Sequence, residues 1–140
     1  MQGEQVNHVI AGITLSNYVM HQDDRGTLGV LESGSGVSFA IKRVFYIKPT
    51  SAATVRAEHA VSATQALVAL SGSVTVDVDN GSEQQTIILH PDQSLLTIMP
   101  GVWLRLRDCT PDSIVLVISS LTYAETTYSN VPYFHEVDNG

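Results

Sequence analysis

An all-β chain, folded as a sandwich or a closed barrel, is predicted by three features of the sequence. Apolar and polar residues alternate with period two over much of its length, the mark of strands with one buried face. The alternating runs are short, and Gly, Pro, Asn and Asp separate them. Helical periodicity is nearly absent, with only Leu121–Thr127 able to close a helical turn.

Taken in order, Phe39–Ile47 (FAIKRVFYI) is rich in aromatic and β-branched residues and reads as a strand. Gln65–Leu70 and Ser73–Val78 are strands divided by Ser71-Gly72. Asp79-Asn80-Gly81 reads as a tight hairpin, because Asn-Gly accepts positive φ at both central positions. Thr86–Leu89, Ser94–Ile98, Val102–Leu106 and Ser113–Ser119 complete the series, with Pro91, Pro100-Gly101 and Pro111 as turns. No repeat, low-complexity tract or linker divides the 140 residues, so 1–140 reads as a single domain able to bury most of its surface.

Apolar residues make up 44% of the chain and charged ones 15%, which suits a packed core rather than disorder. The net charge is −7, and the seven Lys and Arg are scattered, which argues against a nucleic-acid partner. A few arginines focused in one cavity could still bind a phosphate-bearing ligand. Cys109 is the sole cysteine, so no intramolecular disulfide forms and a reducing compartment is expected. No basic region with a following apolar run marks a signal peptide, and no apolar stretch is long enough to span a bilayer. The expectation is a cytoplasmic protein without a membrane partner.

Several segments together resemble a known family. Asp24-Arg25-Gly26-Thr27-Leu28 with Glu32 is similar to its DxRGxL…E opening, and Ile41–Ile47 to its IKRVYYI strand. Leu70–Val74 resembles LNGSV, Pro100–Trp103 its PxVW turn, and Tyr123–Tyr128 (YAETTY) its YDExDY ending. These are the marks of the cupin-type dTDP-4-keto-6-deoxyglucose 3,4-ketoisomerases, the WxcM-like sugar 3,4-ketoisomerases, and they run in one order from about Asp24 to about Phe134. The resemblance implies a single jelly-roll cupin, usually a homodimer, with no catalytic metal or other cofactor. It also implies a dTDP-linked keto-deoxysugar as ligand and a place in deoxysugar and polysaccharide biosynthesis. Small cupins commonly pair through an exchanged N-terminal strand, for which Val9–Val19 is the candidate.

The family's catalytic strand reads RGxHAHK. Here Arg56, His59 and Ala60 keep its arginine, first histidine and alanine, while Val61 stands at the second histidine. Gln65 follows Arg56 by nine residues, one fewer than the family spacing. Leu104 follows the turn tryptophan, where the family often has a polar residue.

Moving a ketone from C4 to C3 needs a base of near-neutral pKa for the C3 proton and a donor for the enolate oxygen. His59 is the candidate base, since imidazole alone titrates near neutrality unaided. Strand alternation puts it on one face with Ala57 and Val61, and Arg56 and Glu58 on the other unless a bulge intervenes. Arg25 and Arg56 are implied by the resemblance to contact substrate, and Gln65 joins them. Lys42 and Arg43 face opposite ways, so one of the two points inward, and Arg43 is the candidate substrate contact. Tyr46 either donates its hydroxyl to the sugar as a second catalytic group or packs on the strand. Trp103 either stacks on the base or anchors the core.

A metal site would need three or four converging ligands, and His8, His21, His59, His90 and His135 include no HxH pair. Cys109, in a turn with Asp108, Thr110 and Pro111, has no nearby histidine to activate it. Three functions remain open on the sequence. They are the ketoisomerase with His59 as base, a non-catalytic cupin that binds a nucleotide-sugar or other small polar ligand, and an epimerase acting beside the ketone.

Overall fold

The computed structural model describes residues 8–136, all of whose regular elements are strands. They are β1 (Ile13–Asn17), β2 (Val19–Asp23), β3 (Gly26–Val30), β4 (Glu32–Ser33), β5 (Gly36–Val37), β6 (Arg43–Ile47) and β7 (Arg56–Val61). There follow β8 (Gln65–Ser71), β9 (Val74–Asp79), β10 (Gln84–Leu89), β11 (Ser94–Ile98), β12 (Trp103–Arg107), β13 (Ile114–Ser119) and β14 (Tyr128–Ser129).

Two five-stranded antiparallel sheets face each other. The first has the order β1-β11-β8-β13-β6 and the second β10-β9-β12-β7-β14. From β6 to β7, β7 to β8, β8 to β9, β10 to β11, β11 to β12, β12 to β13 and β13 to β14 the chain crosses from one sheet to the other. This is the jelly-roll arrangement of a cupin, and it places each strand's apolar face against the opposite sheet. On β9 Val74, Val76 and Val78 point inward, with Thr75, Asp77 and Asp79 outward; on β12 Leu104 and Leu106 point inward. Burying each such aliphatic side chain contributes about 2 kcal/mol.

β8 departs from alternation because both of its faces are covered. Leu67 and Ala69 join the core between the sheets, while Ala66 and Val68 pack beneath a second cluster containing Tyr18, Val37, Leu95 and Ile118. The strand expected over Phe39–Ile47 begins only at Arg43, because Phe39 and Ile41 are spent on that outer cluster. β1 runs along β11 of its own chain, and β2 and β3 form a hairpin that pairs with no other strand.

Two turn expectations need correction. The residues from Asn80 to Glu83 form a longer loop, closed by Asn80 N–H donating to Glu83 C=O at 3.1 Å. Of the Asn-Gly pair only Gly81 has positive φ. Asn80 is instead buried: its Oδ1 accepts from the N–H groups of Ser82 and Glu83, and its Nδ2 donates to Ala11 C=O at 2.8 Å. Leu121–Thr127 forms no helix. It makes a hydrogen-bonded turn in which Thr122 N–H donates to Glu125 Oε1 and Glu125 N–H donates to Thr122 Oγ1. That reciprocal pair is a helix cap without a helix behind it.

Candidate active site

β7 holds the feature that builds the site. Its register with β12 pairs Leu106 with Arg56, Arg105 with Ala57 and Leu104 with His59, leaving Glu58 unpaired as a bulge. Ala57 and Glu58 both lie in the left-handed region, at φ of 72° and 61°. For non-glycine residues this costs about 1–3 kcal/mol each. The extra residue reverses the alternation between positions 56 and 59, so Arg56 and His59 both face between the sheets. The bulge is the exception under which Arg56 was expected to leave the face opposite His59.

The space they face is a cavity of about 200 Å³. β6 supplies Arg43, Phe45 and Ile47, β7 Arg56, Ala57 and His59, and β8 Gln65 and Leu67. Leu104, Leu106, Val117 and Tyr128 complete the lining. No carboxylate is among these residues.

His59 is half-buried, and its Nδ1 is buried without a hydrogen-bond partner. Burial pushes its pKa below the ordinary histidine value, so the imidazole is neutral near pH 7 and available as a base. Its ring meets that of Tyr128 edge-on, with centroids 5.0 Å apart and planes at 71°. Tyr128 is brought there by pairing of β14 with β7, and by Thr127 N–H donating to Ser62 Oγ at 2.9 Å.

Arg43 is the inward member of the Lys42-Arg43 pair. Its guanidinium lies over two rings, 4.4 Å from the centroid of Phe45 and 5.1 Å from that of Tyr123. Lys42 points outward and pairs with Glu125 at 3.5 Å, tying the start of β6 to the turn that carries Tyr123. None of the five ion pairs among the described residues involves Arg43 or Arg56. The cavity therefore presents two uncompensated cations, one neutral imidazole and the buried Gln65, an arrangement that favours an anionic ligand bearing a carbonyl or hydroxyl.

Four expected site residues, His59, Arg56, Arg43 and Gln65, are thus brought together. Three are not. Tyr46 is 66% exposed on the outer face of β6, since Phe45 and Ile47 on either side of it face inward. Arg25 sits at the β2–β3 turn, exposed and paired with Asp23 at 2.6 Å. Trp103 faces outward from β12, because Leu104 and Leu106 take the inward positions.

Trp103 borders a larger groove of about 740 Å³ on the outer face of the second sheet, with Asp77, Arg105 and Arg107. The size of that groove does not make it the reactive site. Asp77 is clamped by both arginines, and Arg107 holds its carboxyl well below the usual carboxylate range. No imidazole lines it.

Tyr128 and Tyr123 are the contributions that residue-by-residue reading missed. Their signal was the YAETTY ending, which marks the family without revealing that β14 folds back beside β7. Among the described residues no group of three or more His, Cys, Asp and Glu is arranged to hold a metal ion. Cys109 is buried in the core.

Comparison with known proteins agrees with this geometry. A curated TDP-4-oxo-6-deoxy-alpha-D-glucose-3,4-oxoisomerase of Aneurinibacillus thermoaerophilus is 37% identical over 107 residues, 76% of this chain and 77% of the relative. The crystal structure of a mutant of the 3,4-ketoisomerase QdtA from Thermoanaerobacterium thermosaccharolyticum, in complex with TDP-4-keto-6-deoxyglucose, superposes with a TM-score of 0.82 at 29% identity, covering 87% of this chain and 89% of that one. The WlaRB TDP-quinovose 3,4-ketoisomerase of Campylobacter jejuni gives 0.81 at 30% identity, over 86% and 94% of the two chains. The family model described as FdtA: WxcM-like, C-terminal matches residues 11–137. With the match spanning almost the whole chain, and a relative of this identity beside it, the protein belongs to the WxcM-like, C-terminal (FdtA) family.

Proposed function

We propose that the chain is a sugar-nucleotide 3,4-ketoisomerase that converts dTDP-4-keto-6-deoxyglucose to a dTDP-3-keto-6-deoxyhexose. The observation that carries this reading is the neutral His59 imidazole sharing one cavity with Arg43 and Arg56, neither of them ion-paired. The base removes the proton that the neighbouring ketone acidifies at C3, and C4 of the resulting enediol then accepts a proton from a general acid. Arg43, fixed between two aromatic rings, suits the oxygen on which charge develops. Arg56, more exposed at the rim, suits the diphosphate.

At about 200 Å³ the cavity is below the roughly 300–1,000 Å³ of sites that enclose a whole drug-sized ligand. It holds a sugar ring, with the nucleoside diphosphate lying across its mouth. Val61 leaves the second histidine's place empty of a titratable group; the neighbouring Glu58 is exposed and does not line the cavity, whereas Tyr128 does. Tyr128 is therefore the second proton-handling group in this reading.

Arg25 lies outside the cavity of its own chain, so it meets the ligand only across an interface with a second copy. A homodimer in which the β2–β3 hairpin reaches the partner's site reconciles the two. In this reading the enzyme works in the cytoplasm, in deoxysugar and polysaccharide biosynthesis, without a nucleic-acid or membrane partner. No helix among the described residues is long and apolar enough to cross a membrane.

The test is incubation with dTDP-4-keto-6-deoxyglucose in deuterated water. Isomerisation with deuterium entering at C3 or C4 is expected, and His59→Asn abolishes it while binding of dTDP stays within about three-fold. Binding without exchange in the wild-type protein leaves only a non-catalytic cupin, and unchanged turnover in His59→Asn removes the base assignment.

A further inference from the structure

The chain leaves the first sheet at Ser119, the end of β13, and enters the second at Tyr128, the start of β14. Two rings sit on this 120–128 crossover. Tyr123 lies over the guanidinium of Arg43, Tyr128 packs against the imidazole of His59, and their centroids are 6.5 Å apart. One segment therefore touches both the cation held on β6 and the base held on β7. Glu125 sets the shape of that segment. Its Oε1 accepts from Thr122 N–H at 3.0 Å and from Thr122 Oγ1 at 3.1 Å, while Glu125 N–H donates to Thr122 Oγ1 at 3.3 Å. These bonds hold the Glu125 carboxyl below the usual carboxylate range. The ion pair with Lys42, 3.5 Å long between half-exposed side chains, adds little to them. The crossover is also fastened at each end. Ser120 N–H donates to Thr64 C=O at 3.0 Å, and Thr127 N–H to Ser62 Oγ at 2.9 Å. Loss of the Glu125 carboxylate therefore loosens the turn between those fastenings without parting the sheets.

Resting on the isomerase reading above, we infer that Glu125 is a positioning residue, whose carboxylate fixes the crossover so that Tyr123 and Tyr128 hold Arg43 and His59 in reactive geometry. Glu125 does not line the cavity, so it acts only through the two rings. Phe45 and Tyr123 together restrict where the Arg43 guanidinium can point. Tyr128 covers one side of the imidazole and keeps water from it. The other charged or titratable groups that line the space around His59 are Arg43 and Arg56, and Leu104 is its register partner on β12. No carboxylate lines the cavity to raise the imidazole's pKa, so that pKa reports how well the ring is covered. Placement of a base and of a charge-stabilising group enters the rate of the chemical step more than the affinity for substrate.

The experiment compares Glu125→Ala with Glu125→Gln in the full chain. Glutamine keeps an oxygen that accepts from Thr122 and gives up the charge, whereas alanine gives up both. With dTDP-4-keto-6-deoxyglucose, kcat is expected to fall about 10-fold in Glu125→Ala with KM within about two-fold, and Glu125→Gln to keep at least about half of the wild-type kcat. The second readout needs no turnover. NMR titration of the unliganded protein follows the His59 imidazole, identified by the signal missing from His59→Asn. Its pKa rises toward the ordinary value of about 6.5 in Glu125→Ala and stays in place in Glu125→Gln. An unchanged His59 titration in Glu125→Ala overturns the inference whatever the kinetics, and so does an equal loss of kcat in the two variants. If the wild-type chain does not convert the substrate, the isomerase reading falls, and the titration still decides whether Glu125 governs the surroundings of His59.

Discussion

The imidazole of His59 and the phenol ring of Tyr128 meet edge to face across the seam between β7 and β14, 5.0 Å between centroids. This contact sets a hydroxyl-bearing ring beside the proposed base, in a chain that carries Val61 where the family's catalytic strand would carry a second histidine. Val61 itself is buried at 2% exposure and pairs in register with Tyr128.

Tyr128→Phe keeps the ring that packs on His59 and removes only the hydroxyl. The expected result is a fall in kcat of about 10²-fold with KM nearly unchanged, since general acid–base groups contribute on the order of 10²–10⁴. Steady-state kinetics on the purified variant measure it, and an unaltered kcat removes Tyr128 from proton transfer.

The acid limb of kcat/KM reports the free base. Burial lowers the pKa of His59, so the activity lost to protonation sets in below the ordinary histidine value of about 6.5 rather than above it. Stability follows the same sign. The unfolded chain binds the proton more readily than the folded one, so the contribution of neutral His59 is present above about pH 6.5 and is lost as pH falls through the folded pKa. A limb centred above 6.5 would contradict the environment seen here.

Arg56→Ala and Arg43→Lys separate the two cations. Removing Arg56 is expected to weaken dTDP binding by about 10–100-fold, the worth of a charge-assisted hydrogen bond, with a smaller effect on kcat. Arg43→Lys keeps the charge and discards the planar group held over Phe45 and Tyr123, so kcat falls more than affinity. Calorimetric titration with dTDP beside steady-state kinetics distinguishes the two patterns.

Gly101→Ala tests how the C-terminal segment is held. Gly101 has φ of 87°, and an added Cβ would stand 2.7 Å from the backbone nitrogen of Phe134. Tyr133 N–H donates to Gly101 C=O at 2.8 Å, so the segment has no room to withdraw without losing that bond. Strain and crowding together cost about 2 kcal/mol or more, which lowers Tm by roughly 5–10 °C. Thermal melts of the variant and the wild type decide it.

Short alternating runs and their turn residues were enough to establish an all-β fold, because strand periodicity is written locally into neighbouring side chains. Ser73–Val78, Ser94–Ile98 and Val102–Leu106 could be read this way, and the segment resemblances named the family. His59, Arg56, Arg43 and Gln65 were also legible as candidates, and the fold brings them to one cavity by means the sequence did not show. That was decided by tertiary structure. Arg56 and His59 share a face only because β7 bulges at Glu58 against β12, and a bulge depends on the register between strands far apart in sequence. Tyr128 reaches the imidazole through the pairing of β14 with β7, which no local pattern encodes. Tyr46 and Trp103 fall outside the cavity because a side chain's direction is set by which face of its strand the core claims, and the core forms only when both sheets are present; Arg25 falls outside because its turn joins two strands that pair with neither sheet.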